Sequence, residues 1–150
     1  MTTHLEAPSD LLAQVGRSLG TTDWLHLTQE QVVLFAELTR DRQWIHIDPG
    51  RAAEGPYGTA IVQGFLTLAL APGIIGDVLR ISDPTTVLTL GLNKVRFHNP
   101  LRVGERVRVT VVVMRAQQTI SGVEVVFTLS YETDGGTSPA CVADVMVLYP

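Results

Sequence analysis

The stretch RVRVTVVVM, residues 106–114, decides the fold class because its valines recur at every second position. Alternation of apolar and polar residues is typical of a β-strand with one buried face. The face predicted to be buried carries Val107, Val109, Val111 and Val113. We therefore predict a long strand here, with partner strands close to it along the chain.

Two later segments repeat this alternation. They are VEVVFTLSYE (123–132) and ACVADVMVLY (140–149), and the turn-forming segments AQQTISG and TDGGTSP precede them. The positions predicted to be buried are Val123, Val125, Phe127, Leu129 and Tyr131 in the first segment and Cys141, Ala143, Val145, Val147 and Tyr149 in the second. The three strands are therefore predicted to form an antiparallel meander.

A fourth strand is predicted to precede the meander, starting at about residue 86. In VLTLGLNKVRF (87–97) the alternation changes phase once. The predicted inner positions are Leu88, Leu90 and Leu92 before the change and Val95 and Phe97 after it. A slip of one residue indicates a β-bulge, which we place near Asn93.

Helix signals dominate before residue 84. SDLLAQVG (9–16) predicts a short helix with Ser9 as its N-cap and Gly16 just past its end, and LGTTDWLHL (19–27) predicts a short strand. TQEQVVLFAELTR (28–40) opens with Thr28 and Gln31 in the pattern of a capping box. The most apolar helix is predicted over about residues 60–79, with apolar side chains almost all round it.

One apolar helix combined with an antiparallel sheet predicts an α+β fold, in which a curved sheet covers the helix. The chain of 150 residues is expected to form one domain, residues 1–150. A sheet of four or five strands leaves an edge exposed, and pairing with a second copy would cover it. We therefore expect a homodimer.

Composition argues against several classes of function. The net charge is −4 without a basic cluster, so we expect no nucleic-acid partner and no electrostatic membrane anchor. Cys141 is the only cysteine, and His4, His26 and His98 lack ligand spacing, so we expect no metal and no cofactor. The N-terminus carries no signal-peptide pattern, and the apolar helix is interrupted by polar residues and Pro72. These features predict a cytoplasmic protein.

Residues 41–58, DRQWIHIDPGRAAEGPYG, have no clear helix or strand period. Asp41 and His46 lie five residues apart, so a carboxylate and an imidazole could hold one water and move protons. The alternative is an exposed polar pair without catalytic function. Asp48 followed by Pro49 is typical of an N-cap and first helical residue, and predicts a short helix.

Gly64, in the segment IVQGFL, is expected in the first turn of the apolar helix. Backbone N–H groups there have no intrahelical acceptor and could polarise a carbonyl as an oxyanion hole. The alternative is that Gly64 only makes room for close packing.

The segment FAELTRDRQWIHIDPGRAAEGPYGTAIVQGFLTLAL (35–70) resembles the hydratase-2 motif of MaoC-like (R)-specific enoyl-CoA hydratases. GLNKVRFHNPLRVGERVRV (91–109) resembles the segment that opens the sheet in this family. The resemblance covers about residues 16–150. It implies a hotdog fold, in which a curved antiparallel sheet wraps a central helix and two such units form a dimer.

The resemblance implies that Asp41 and His46 are catalytic and that the N–H of Gly64 forms the oxyanion hole. We expect substrate contacts from Gln63, Tyr57, Phe65 and Arg96. For Tyr57 a packing role, and for Arg96 a structural ion pair, remain open. The chain departs from the family pattern twice: Arg40 stands where glycine is usual, and Gln63 stands where histidine is usual.

The activity implied by the resemblance is reversible hydration of a trans-2-enoyl thioester of CoA, or of a carrier protein, to the (R)-3-hydroxyacyl thioester. Two alternatives remain. A hotdog thioesterase would release the free thiol, whereas a non-catalytic acyl-thioester binding subunit would show no turnover.

Overall fold

The computed structural model describes residues 1–83 and 86–150. The helical elements are a 3₁₀ helix (Pro8–Gln14), α1 (Gln29–Thr39), α2 (Trp44–Ile47), α3 (Pro49–Ala53), α4 (Gly64–Ala69) and α5 (Ala71–Val78). The strands are β1 (Thr3–Leu5), β2 (Ser18–Thr21), β3 (Leu25–His26), β4 (Leu79–Ile81), β5 (Leu88–Phe97), β6 (Arg106–Thr119), β7 (Gly122–Thr133) and β8 (Cys141–Tyr149).

The main sheet is antiparallel, with strand order β2-β6-β7-β8-β5, and β3 also pairs with β6. The meander of β6, β7 and β8 is confirmed, and every inner position predicted for these three strands is buried. Their side chains pack against α4 and α5 to form the core. A small parallel pair, β1 with β4, lies outside this sheet and was not predicted.

The fourth predicted strand is present as β5, but its predicted inner face is only partly right. Val95 packs against the core and Phe97 lies opposite the buried Cys141, as predicted, whereas Leu88, Leu90 and Leu92 do not share one face. The pairing shifts between Thr89 and Gly91, so Leu88 lies opposite Leu148 and Leu92 lies opposite Val145. Leu148 and Val145 point to opposite faces of the sheet, and so do the two leucines. The second shift, between Asn93 and Arg96, confirms the predicted bulge. Leu88, Leu90 and Leu92 are all exposed in this chain.

The apolar helix is shorter than predicted and is broken once. Residues 60–63 are not helical, because Ile61 N–H bonds to Ile45 O and Val62 N–H bonds to Leu101 O. α4 and α5 meet at Leu70. Pro72, in the first turn of α5, has no N–H to donate to the preceding turn. Within residues 1–83 and 86–150, no helix has the length and apolarity needed to cross a bilayer.

The predicted capping of α1 is confirmed. Thr28 Oγ1 accepts from Gln31 N, and the Gln31 side chain accepts from Thr28 N. α1 ends at Thr39, and its C-cap Arg40 has φ 65° and ψ 14° in the left-handed region. The departure from glycine at position 40 therefore falls at a position where a side chain is unfavourable.

The predicted features before residue 28 are partly wrong. The first helix is a 3₁₀ helix with Ala7 as its N-cap, because Asp10, and not Ser9, accepts from the Glu6 and Ala7 N–H groups. Gly16 follows this helix with φ 83°, as predicted. The predicted strand over residues 19–27 is split into β2 and β3. Between them the Thr22 hydroxyl, rather than a backbone carbonyl, accepts from Val109 N.

Candidate active site

Two short helices shape the segment between α1 and α4, which was expected to be irregular. α2 is a single turn that contains His46. The predicted cap of α3 is confirmed, since Asp48 Oδ1 accepts from Arg51 N at 3.0 Å. The Arg51 guanidinium lies 4.4 Å from the ring centre of Trp44, and a Cβ on Gly55 would lie 2.9 Å from that ring. Trp44 therefore fixes the segment from both sides.

His46 is 6% exposed, and its ring is held in one tautomer. Nδ1 lies 2.7 Å from Ile61 O, and a carbonyl can only accept. Nδ1 therefore carries the proton, and in the neutral ring Nε2 is the free acceptor. The backbone of His46 is also fixed, because Gln29 Nε2 donates to His46 O at 2.7 Å.

The carboxylate of Asp41 faces this free nitrogen. Oδ2 lies 3.7 Å from His46 Nε2, while Oδ1 accepts from Gln43 Nε2 at 3.1 Å. A separation of 3.7 Å is too long for a direct hydrogen bond but lets one water contact both groups. The Asp41 side chain is 38% exposed, so solvent reaches the pair. The predicted convergence of Asp41 and His46 is therefore present in the structure.

Gly64 is the first residue of α4, and Gln63 is its N-cap. The N–H of Gly64 thus belongs to the turn whose donors lack intrahelical acceptors and lie at the positive end of the helix dipole. A Cβ at this position would lie 3.1 Å from the Phe97 ring. Both interpretations of Gly64 therefore have support, because its lack of a side chain accommodates Phe97 and also leaves its backbone accessible.

His46 and Gly64 line the same cavity, of about 290 Å³, which we call the site cavity. Its other walls include Thr67, Phe97, His98 and Cys141. Phe97, His98 and Cys141 were not predicted from the sequence to belong to the site. After its second bulge, β5 places Phe97 opposite Cys141. The change in alternation that predicted this bulge was the sequence signal that could have placed Phe97 beside Cys141. Burial raises the pKa of the Cys141 thiol to about 11, so this wall is neutral and the thiol is a poor nucleophile.

The four expected substrate contacts do not line the site cavity. Gln63 is 2% exposed, and its Nε2 donates to Val32 O at 2.9 Å. Phe65 is 75% exposed. Tyr57 is partly exposed, and its carbonyl accepts from Arg102 Nε.

Arg96 lies exposed on β5, and its Nη1 donates to the neighbouring carbonyl of Val95. No carboxylate in the described residues lies within ion-pair distance of it, so the structural ion pair considered for Arg96 is absent there. Gln63 Oε1 is buried, and no described residue donates a hydrogen bond to it.

A second cavity, of about 300 Å³, lies further along the central helix, between α5 and strands β5 and β8. We call it the distal cavity. Its apolar walls include Pro72, Ile75, Ile81, Val87, Val145 and Val147. Gly76 also lines it, and a Cβ there would meet nothing within 4 Å.

Across residues 1–83 and 86–150 there is no group of three or more His, Cys, Asp or Glu side chains that could hold a metal ion.

A carboxylate–imidazole pair beside a helix N-terminus, on a sheet wrapped around a central helix, is the arrangement that the resemblance to hotdog-fold hydratases implies. Residues 10–134 match the family described as "MaoC like domain". The chain belongs to this MaoC-like dehydratase family, which confirms the resemblance found in the sequence.

Named relatives agree with this assignment. The chain is 43% identical over 145 residues to 3-hydroxyacyl-thioester dehydratase Z of Mycobacterium tuberculosis, covering 96% of each protein. The solved (R)-hydratase from A. caviae involved in PHA biosynthesis superposes with a TM-score of 0.74 at 26% identity, covering 91% of this chain and 96% of that one. The truncated HadBC (3R-hydroxyacyl-ACP dehydratase) complex of M. tuberculosis shares the fold, with a TM-score of 0.73 at 17% identity and coverage of 88% and 96%.

Proposed function

We propose that this protein catalyses the reversible interconversion of (R)-3-hydroxyacyl thioesters and trans-2-enoyl thioesters, with Asp41, His46 and Gly64 as its catalytic groups. The observation that carries the proposal is the 3.7 Å approach of Asp41 Oδ2 to His46 Nε2 beside a cavity that also exposes Gly64. The relative named a 3-hydroxyacyl-thioester dehydratase, 43% identical over nearly the whole chain, supports it.

In the hydration direction, a water held between Asp41 and His46 adds to C3 of the enoyl group. His46 Nε2 takes one proton from this water as the oxygen bonds to carbon, and the Asp41 carboxylate stabilises the resulting imidazolium. The electrons of the double bond move onto the thioester oxygen, where the Gly64 N–H donates a hydrogen bond. The imidazolium then returns the proton to C2. Every atom of the water is thus found in the product.

The acyl chain is proposed to leave the site cavity along α4 and α5 and to end in the distal cavity. Apolar side chains form most of the walls of the distal cavity, which would add about 300 Å³ for the chain. Gly76→Leu would fill part of that space, because open space surrounds the position. The variant should lower kcat/KM for long-chain substrates and leave the four-carbon substrate unchanged. Equal losses for both chain lengths would remove the distal cavity from the proposal.

We further propose a homodimer formed through β5. Within residues 1–83 and 86–150, β5 pairs only with β8, and it exposes Leu88, Leu90 and Leu92. An exposed apolar edge strand favours pairing with another chain. Light scattering of the purified protein should give twice the chain mass. A mass that stays at one chain as the protein is concentrated, or a requirement for a different subunit, would contradict the homodimer.

The decisive experiment is an activity panel of trans-2-enoyl-CoA substrates from four carbons upward, followed by loss of the enoyl absorbance. We expect conversion to the (R)-3-hydroxyacyl-CoA, identified by chiral analysis of the product. Release of free CoA would instead identify a thioesterase, and absence of turnover with CoA and carrier-protein substrates would favour a binding subunit. We also propose that residues 1–150 form a single domain and that the protein acts in the cytoplasm, as the sequence predicts.

A further inference from the structure

Helix α1 is hydrogen-bonded to both halves of the candidate active site. Near its start, Gln29 Nε2 donates to the backbone carbonyl of His46 at 2.7 Å. One turn later, the carbonyl of Val32 accepts from Gln63 Nε2 at 2.9 Å, and Gln63 directly precedes Gly64. α1 therefore holds the general base and the oxyanion donor in one frame, although 18 residues of sequence separate them.

The contact from Gln29 matters because α2 is too short to hold itself. A single turn of four residues is unstable in isolation, and its last carbonyls have no intrahelical donor. The Gln29 amide supplies a donor to one of these carbonyls. The imidazole ring of His46 is fixed by the hydrogen bond from its Nδ1 to Ile61 O. Two contacts, one on the backbone and one on the ring, thus determine where His46 Nε2 lies.

We propose that Gln29 is a positioning residue for His46. It touches neither the site cavity nor Asp41, and it acts by fixing the backbone of α2 relative to α1. Because Gln63 joins α1 to the first residue of α4, the same frame sets the separation between His46 Nε2 and the Gly64 N–H. This inference rests on the proposed function, which assigns both groups to one reaction.

Displacement of a catalytic group by about 1 Å can cost about a hundredfold in rate. Loss of one of two anchors should shift His46 by less than this, so we expect kcat to fall by about tenfold. KM should stay within about twofold, because Gln29 does not line the cavity that receives the substrate. This separation of kcat from KM distinguishes positioning from a loss of binding or of folded protein.

Two variants remove the donor in different ways. Gln29→Met keeps the length and helix propensity of the side chain without a donor, and Gln29→Glu keeps its shape but presents only acceptors. Gln29 is the first residue of α1, where a carboxylate is favourable, so the glutamate should not destabilise the helix. Gln31→Glu is the matched control, since it makes the same change two residues away and keeps the capping box with Thr28.

Turnover of crotonyl-CoA and thermal melting are measured for all three variants, together with solvent exchange of the His46 Nδ1–H by NMR of ¹⁵N-histidine-labelled protein. We expect both Gln29 variants to lose about tenfold in kcat and to exchange this proton faster, while Gln31→Glu matches the wild type. Unchanged kcat in the Gln29 variants, or a loss of the same size in Gln31→Glu, would overturn the inference.

The exchange measurement does not need turnover. If the wild-type protein proved inactive, the proposed function would fail. The positioning role of Gln29 would still be tested by the exchange of the His46 Nδ1–H. Unchanged exchange of the His46 Nδ1–H would then overturn the positioning role, and faster exchange would support it.

Discussion

Strands β6–β8 and the segment from Asp41 to Gly64 are held together in different ways. The strands bury a continuous set of apolar side chains against the central helix, each touching several others. The segment depends on a few polar contacts, among them His46 Nδ1 to Ile61 O, Gln29 Nε2 to His46 O, and Gln43 Nε2 to Asp41 Oδ1.

This difference predicts opposite consequences of substitution. In the sheet, loss of one side chain removes part of a shared apolar core and lowers stability, while the site stays in place. In the segment from Asp41 to Gly64, loss of one polar group removes a contact that no neighbour replaces, and we expect it to lower turnover more than stability.

The largest expected effect is on turnover, from Asp41→Asn and His46→Asn. Asparagine at position 46 can keep a donor near Nδ1 for Ile61 O but has no counterpart of Nε2. Each variant should lose roughly 10²–10⁴-fold in kcat, the usual contribution of a general acid or base. The measurement is hydration of crotonyl-CoA, with melting curves recorded in parallel.

The double variant sharpens the same comparison. Groups that act on one water are not additive, so the double variant should be little worse than the poorer single variant. Two single variants that each keep most of the wild-type activity would remove both residues from the catalytic assignment.

Leu129→Ala tests the other side of the comparison. Leu129 is fully buried on β7, and truncation of such a leucine costs about 2–5 kcal/mol in the free energy of unfolding. Urea unfolding should show this loss, whereas kcat of the folded protein should stay within about twofold of wild type. A stable Leu129→Ala protein with strongly reduced kcat would show that the sheet and the site are not separable in this way.

A smaller effect is expected at Arg40, which follows α1 and directly precedes Asp41. Its φ of 65° costs a residue with a Cβ roughly 1 kcal/mol, and glycine avoids this cost. Arg40→Gly should therefore raise the free energy of unfolding by about that amount. Arg40→Ala is the control because it keeps the Cβ, and an equal gain in both variants would exclude the backbone explanation.

The last prediction concerns a change that appears only at alkaline pH. Burial raises the pKa of Cys141 to about 11 from its ordinary value of 9.0, so the unfolded chain releases this proton at lower pH than the folded one. The resulting stability is complete below about pH 9 and is lost as pH rises through about 11. Tyr149, whose pKa burial raises to about 12, acts in the same direction at higher pH.

Cys141→Ala should therefore make the decline of stability between pH 9 and 11 less steep. Urea unfolding at a series of pH values provides the measurement, and the slopes are compared rather than the absolute stabilities. An unchanged slope would mean that the thiol ionises alike in both states.

Features set by neighbouring residues could be predicted from the sequence. Alternation fixed the inner faces of β6, β7 and β8, because each repeats over many residues. The caps at Thr28 and Asp48 and the positive φ at Gly16 also follow from local chemistry. The convergence of Asp41 and His46 was predictable because only five residues separate them.

Features set by contacts between distant residues could not be predicted. α4 begins at Gly64 because Ile61 and Val62 bond to Ile45 and Leu101, and no sequence period reports such bonds. The faces of Leu88 and Leu92 depend on a bulge that lies between them. The contact of Gln29 with His46 spans 17 residues, and a glutamine at a helix start looks like any other polar surface residue.

The bulges of the main sheet have a consequence for behaviour at high concentration. β5 carries two of them and β2 carries one, between Ser18 and Gly20, while β3 is only two residues long. Long, straight edge strands are the ones that recruit further chains into extended fibrillar sheets, and bulges or short strands prevent this. The outer strands of this sheet can therefore pair over a short length with one specific partner, but they are no template for an extended sheet. We expect these bulged and short strands to protect the valine-rich strands between them from aggregation.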